Sequence, residues 1–218
     1  RANDDWLVHA ASPELSADGP YAYRIKLMSG QVKTLFGEEP DNLADFALAS
    51  QISQAEAKKY FIERFRLSKW RRTGILWWNL IDGWPQISDA VVDYYYDKKL
   101  AYYYIKRSQQ PLCLMFDEPE NGFLPLYAVN DTQEDIRVSY RVTDSTTGEF
   151  IVRAECVAKA NASNPIWRMP ITPGEQHFYL IEWDGGAKGK NHYMTGLLNI
   201  DLNEYARAAN ACGFEGFM

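Results

Sequence analysis

The spacing of hydrophobic positions changes twice along this chain. Residues 1–40 show little periodicity. Trp6-Leu7-Val8-His9 reads as a short helix or an anchoring loop, Ser12-Pro13 to Gly19-Pro20 as turns, and Tyr21 to Lys33 as a helix or a wrapped loop. A long irregular segment in a compact domain is commonly the wall of a site. From Asp41 the spacing becomes helical. Asp41 or Asn42 can cap, because a short side-chain oxygen accepts a free amide proton of the first turn. Leu48, Ile52, Ala55, Ile62 and Phe65 then form one stripe, interrupted by Lys59. Glu56, Lys58, Glu63 and Arg64 fill the side expected to face water, and Lys69-Trp70-Arg71-Arg72 reads as a solvated connection.

Thr73-Gly74-Ile75-Leu76-Trp77-Trp78-Asn79-Leu80-Ile81-Asp82-Gly83-Trp84-Pro85 is the densest apolar stretch, and the rest of the chain is arranged around it. Ile75 to Leu80 is apolar at both alternating sets of positions apart from Asn79, which predicts a parallel strand covered on both faces. Gly74 marks its start, and Gly83 and Pro85 its end. Tryptophans, an amide and a carboxylate crowd its C-terminal half, the end where parallel α/β folds place binding and chemistry. A loop with a short apolar centre, Ser88 to Asp93, leads to Tyr94-Tyr95-Tyr96 and a helix over Ala101–Arg107.

Beyond Ser108-Gln109-Gln110-Pro111 the period drops to about two, with turn signals every eight to twelve residues. Strands are predicted at Leu112–Phe116, Leu124–Val129, Ile136–Val142, Phe150–Ala158, Trp167–Ile171, Phe178–Trp183 and His192–Leu198. About seven short strands in some hundred residues predict an antiparallel sandwich of immunoglobulin type. Asp201-Leu202-Asn203-Glu204 is a capping box that opens a last helix, Leu202–Ala211.

With 218 residues the chain holds one large domain or two small ones, and at 46% hydrophobic it buries a core. The aromatic load (14 Tyr, 10 Phe, 7 Trp) suits stacking on sugars and suits a dense core equally. A net charge of −6 argues against nucleic acid, which recruits basic patches. No apolar run is long enough to span a bilayer, so no membrane partner is expected, and nothing at the start resembles a signal peptide. The opening Arg1-Ala2-Asn3-Asp4-Asp5-Trp6, without Met, is what an excised piece of a longer protein would show. Cys113, Cys156 and Cys212 lack metal or redox spacing; Cys113 and Cys156 read as small buried hydrophobes. They do not fix the compartment, for which a periplasmic or secreted location is favoured over a cytoplasmic one. Asn130-Asp131-Thr132 and Asn161-Ala162-Ser163 match the glycosylation sequon. His9, His177 and His192 are scattered, and no metal or cofactor motif is present; His192 is expected to satisfy a strand or loop hydrogen bond.

The stretch from Gly74 to Pro85, with Ser88, Asp93-Tyr94-Tyr95, Lys99, Tyr103 and Lys106-Arg107, resembles glycoside hydrolase family 2, nearest its β-mannosidase-like branch. There the last barrel strand carries Trp-Gln-Leu-Asn-Asp-x-Trp-Pro; here Asn79 stands for the Gln and Ile81 for the second Asn. Ser50-Gln51 with Gln54-Ala55, and Asn191-His192-Tyr193 with Gly196, fit the same family. The resemblance implies an α+β multidomain fragment: residues 1–108 as the C-terminal part of a (β/α)8 barrel, then residues 109–218 as an immunoglobulin-like antiparallel β-sandwich with a short C-terminal helix. It implies substrate-binding roles for Trp78, Asn79, Asp82 and Trp84, with Trp78 as the platform beneath the sugar, Trp77 turned toward the core, and a non-proline cis bond at Trp78–Asn79.

Retaining glycosidases need two carboxylic acids about 5–5.5 Å apart. In the family these stand on earlier barrel strands, and the Ser-Glu-x-Gly setting of the nucleophile does not occur in this chain. No catalytic residue is therefore assigned here. Asp82 and Asp93 read as orienting or structural, and Glu38, Glu39 and Glu118 as solvated. The implied parent is a retaining glycoside hydrolase acting on a glycoside or oligosaccharide substrate. This chain is expected to be inactive without the upstream barrel, and to pair as a homodimer or cover its open edge. Two other readings stay open: a non-catalytic carbohydrate-binding or interaction module, and a family member whose carboxylates have been lost.

Overall fold

The computed structural model describes His9 and residues 23–186, 188–196 and 198–217. The expectations for Trp6 to Val8 and for Ser12 to Pro20 lie outside these residues. The chain from Tyr23 onward begins with helix α1 (Tyr23–Phe36), which settles Tyr21–Lys33 as helical from Tyr23. Helix α2 (Leu43–Leu67) runs 25 residues, capped by Asn42, whose Oδ1 accepts from Asp45 N at 2.9 Å. A non-helical segment carries residues 73–99 back along α2 to helix α3 (Leu100–Ser108).

Seven strands follow: β1 (Leu112–Phe116), β2 (Phe123–Asn130), β3 (Ile136–Asp144), β4 (Phe150–Ala158), β5 (Ala162–Pro170), β6 (His177–Asp184) and β7 (Gly189–Thr195). They pair in antiparallel fashion into a three-stranded sheet, β1-β2-β5, and a four-stranded sheet, β4-β3-β6-β7. Alternation decides which faces meet. Val138, Tyr140 and Val142 of β3 are buried, while Arg137, Ser139 and Arg141 between them are not. Leu114, Leu126, Ile181 and Trp183 complete this inter-sheet core. Strand β5 starts earlier than the apolar pattern suggests, because Asn161 takes a left-handed φ of 48° and turns β4 straight into it. Strand β7 likewise starts and stops early. Gly196, at φ 107°, ends it where a Cβ would lie 2.5 Å from Gln176 Cγ, so only glycine fits.

A second core joins the helices to one end of the sandwich. Val32, Phe36, Phe46, Ile52, Ile62, Leu100 and Tyr104 pack with Phe178 of β6, and with Tyr205 and Phe214 at the C-terminus. Tyr205 belongs to α4 (Leu202–Ala211), capped by Asp201 as its box predicts, with Oδ1 accepting from Glu204 N at 2.8 Å.

Two expectations are corrected, and two further contacts are added. Ile75–Leu80 is extended but not covered on both faces: Leu76 is 99% exposed, and among the described residues no strand pairs with either edge. Lys59 and Glu63 are both buried as an ion pair of 2.8 Å, so Glu63 does not face water. The basic connection is largely solvated as expected, with Trp70 68% exposed and Arg71 and Arg72 exposed, while Lys69 Nζ donates to Asp131 Oδ1 (2.5 Å) and Trp70 Nε1 to Asn161 O (3.1 Å). Asn130, in the first sequon, is buried; its amide donates to Glu134 O and Ala158 O while Oδ1 accepts from Thr132, which leaves no nitrogen exposed for a glycan.

Candidate functional site

The segment from Gly74 to Asp82 alternates as a strand does. Ile75, Trp77 and Asn79 are half-buried, and Leu76, Trp78 and Leu80 turn outward, with Trp78 72% exposed. Trp77 packs against the helical core, and the Lys58 ammonium sits over its ring, 4.9 Å from the centroid. Lys58 Nζ also donates to Trp78 O at 2.9 Å, and the Trp78–Asn79 peptide is cis. Burial between these rings and backbone lowers the Lys58 pKa, partly offset by Asp89.

The backbone of the segment is tied to the loop that follows. Val91 N donates to Asn79 O (3.2 Å), Val92 N to Leu80 O (2.9 Å) and Asp82 N to Val92 O (3.2 Å). Asp82 is the centre of these ties, and its side chain has no exposure. Oδ1 accepts from Gln86 Nε2 (3.0 Å) and from Ser88 Oγ, and Oδ2 accepts from Lys99 Nζ (3.2 Å). A carboxylate held by three donors, one of them cationic, fixes the loop that carries it. Chemically its work is orientation. Trp84 is 44% exposed beside the ring of His9, whose Nδ1 donates to Pro85 O at 2.7 Å. Asn79 Oδ1 is buried with no hydrogen-bond donor on it among the described residues. The structure therefore gathers the four predicted site residues on one short segment, with Trp78 and Trp84 outward and Asn79 and Asp82 inward.

Helix α2 supplies further partners: Gln51 and Gln54, which the sequence marks only by their family likeness, and Lys58, expected to face water. Gln51 Oε1 accepts from Leu100 N (3.0 Å), Gln54 Nε2 donates to Asp89 O (2.7 Å), and Lys58 reaches Trp78. Their i, i+3, i+7 spacing is the signal that could have found them, a polar stripe along one side of the helix. A cleft of about 310 Å³ lies beside this stripe, lined by Phe46, Gln54, Gln86, Ser88, Asp93 and Lys99. The larger groove, about 750 Å³, opens on the other side of α2 and contains none of the motif residues. Among the described residues no cluster of His, Cys, Asp or Glu is built to hold a metal.

No family model matches the chain. Beta-mannosidase B of Thermothelomyces thermophilus is 36% identical over 83 residues, which is 34% of this chain and 9% of that protein. The crystal structure of a β-D-mannosidase from Dictyoglomus thermophilum superposes with a TM-score of 0.72 at 23% identity, covering 87% of this chain and 24% of that one. An exo-chitosanase from Amycolatopsis orientalis superposes with a TM-score of 0.65 at 19% identity, over 78% of this chain and 22% of that one. This chain thus spans about a quarter or less of the proteins it resembles. Its sequence is similar to Beta-mannosidase B over a third of the chain, and its β-rich, antiparallel fold is similar to these glycoside hydrolases, a likeness that supports the C-terminal region of a family 2 enzyme.

Proposed function

We propose that this chain is the C-terminal part of a retaining glycoside hydrolase that cleaves O-glycosidic bonds of the β-mannosidase, β-galactosidase or β-glucuronidase kind. Residues 1–108 complete a (β/α)8 barrel whose last strand is the segment at 74–82, and residues 109–218 form its immunoglobulin-like accessory sandwich. The observation that carries this reading is the outward set Leu76, Trp78 and Leu80. A last barrel strand covers one face with its own helices and turns the other toward the lumen, where layers of apolar side chains and the substrate sit. Here Trp77 meets the helical core, and the three outward residues point where that lumen would be.

In that setting Trp78 forms the floor of the sugar subsite. An indole covers the apolar face of a pyranoside at small entropic cost and keeps water from the developing oxocarbenium ion. Trp84 extends the wall, Asn79 sets the end of the strand, and Asp82 with Lys99, Ser88 and Gln86 holds the loop in place. The nucleophile and the acid/base belong to barrel strands upstream of this chain, so the 218-residue chain alone turns over no aryl glycoside.

Kinetics of the full-length parent on a panel of aryl glycosides test the reading. Trp78→Ala is expected to lower kcat/KM roughly 100-fold, while Trp77→Phe stays within about threefold. Normal kinetics for Trp78→Ala would remove the platform. A parent with no glycosidase activity that still bound oligosaccharide would favour the binding-module reading instead.

A further inference from the structure

Helix α2 carries a second polar stripe, and it faces the sandwich. Glu56, Lys59 and Glu63 repeat the i, i+3, i+7 spacing of Gln51, Gln54 and Lys58, displaced five residues along the helix. At 3.6 residues per turn, five residues rotate the stripe by about 140°, onto the far side of α2. Glu56 Oε1 accepts from His192 Nε2 of β7 (2.6 Å) and from Tyr205 OH of α4 (2.5 Å). Tyr205 uses its hydroxyl hydrogen on Glu56, so Tyr104 OH donates to Tyr205 OH (2.5 Å). Next along the helix, Lys59 pairs with Glu63, and Asn191 Nδ2 donates to Glu63 Oε1 (2.7 Å) and to Leu114 O (3.1 Å).

The imidazole at the centre of this network has every side engaged. His192 is 1% exposed, Phe178 stacks on its face at 4.8 Å and 6°, and Arg107 Nη2 lies 3.4 Å from Nδ1. Apolar packing along α2 would hold the helix near the sandwich without fixing its rotation or its height, because Ala49, Ile52 and Ala55 offer no directional bond. Hydrogen bonds to buried groups do fix both, since a shift of an ångström leaves a buried donor or acceptor unpaired.

We infer that Glu56 and His192 are positioning residues: through them the sandwich sets the rotation of α2, and α2 sets Trp78 through Lys58, only two residues beyond Glu56. On this inference the C-terminal sandwich registers the sugar-facing wall. The structural part stands on the geometry alone, and only its kinetic consequence rests on the function proposed above.

Hydrogen exchange on the 218-residue chain tests it. Glu56→Ala is expected to speed exchange of the Asp82, Val91, Val92 and Lys99 amides about tenfold while β3 and β4 keep their protection. Glu56→Gln keeps an oxygen that accepts from His192 and Tyr205, and is expected to restore the native rates. A remote core variant, Val138→Ala, should leave the four amides unchanged relative to β3. Unaltered exchange in Glu56→Ala overturns the inference, as does equal acceleration in Val138→Ala or a failure of Glu56→Gln to rescue. In the parent, Glu56→Ala should lower kcat/KM about tenfold and Glu56→Gln should not. A normal rate for Glu56→Ala beside a defective Trp78→Ala would break the coupling and leave the platform standing.

Discussion

Strand β1 and the segment at 75–80 are both short, apolar and flanked by turns, yet they end in opposite states. All five residues of β1 are buried. In the motif segment every second residue faces out. The difference lies in the neighbours. Strand β1 pairs with β2 along its length and β7 packs against it, with Leu67 at the end of α2 joining the same core. The motif segment has helices behind it and a two-residue tie to Val91 and Val92, and no further strand beside it among the described residues. An apolar run therefore states how much surface a chain is able to bury. Which surface is buried depends on who stands beside it.

The sharpest way to break this contrast is to truncate one residue on each side of it. Ile181 is fully buried between the two sheets. Ile181→Ala removes three carbons from a packed core and is expected to cost about 3–4 kcal/mol in urea unfolding. Leu76→Ala is expected to change stability by less than about 0.5 kcal/mol, because its side chain already lies in water. A large loss for Leu76→Ala would mean that a second copy covers the segment in solution. That loss should then vanish on dilution, as sedimentation velocity would show.

Asp82 sharpens the comparison from the other side, since it is the best-held residue of the less-covered region. Asp82→Ala leaves Lys99, Ser88 and Gln86 facing a void, and an unpaired half-buried ammonium is costly. The expected loss is about 2–3 kcal/mol, with Asp82→Asn retaining roughly half of it. Thermal unfolding of the two variants measures both figures. If Asp82→Ala were neutral, the segment would be held by its backbone ties alone.

How much of this was legible in the sequence follows the same line. The sandwich was, because a period of two with regular turns reports contacts made inside the chain; β1, β4 and α4 match their predicted bounds. The direction of Trp77 against Trp78 was legible from alternation once the strand was seen. The buried pair Lys59–Glu63 was not. Charge on a helix is ordinarily solvated, and only the approach of Asn191 from a strand far along the chain makes that site interior. Lys58 and Glu56 were read as solvated for the same reason: their partners come from loops and strands that no local window contains. The extended segment was mistaken for a covered strand because its outward face is apolar, whatever comes to cover it.

The smallest expected effect concerns acidity, and it separates the two polar stripes of α2. Burial would raise the Glu56 carboxyl, but the charge and hydrogen bond of His192, together with Lys59 and Tyr205, bring it down to about 2. Burial lowers His192 from its ordinary 6.5 to about 4, against the pull of Glu56 and with the help of Lys59 and Arg107. Tyr104 and Tyr205, the other groups facing the pair, are both pushed up by burial and remain neutral. In the unfolded chain His192 takes up its proton near 6.5; in the folded chain it does not until near 4. The unfolded state binds more protons throughout that window, so stability falls as pH drops from about 6.5 to 4. Glu56 continues the fall below about 4.5, where its unfolded carboxyl protonates first. Between pH 7 and 5 the His192 share is expected to be on the order of 2 kcal/mol. His192→Gln keeps a donor for Glu56 and removes the titration, so its stability should be flatter across that range. His9 and His177 are common to both proteins and drop out of the difference. Equal slopes in urea unfolding of the two at pH 7, 6 and 5 would show that His192 gains its proton alike in both states. The sandwich-facing stripe would then tolerate a charge that its geometry excludes.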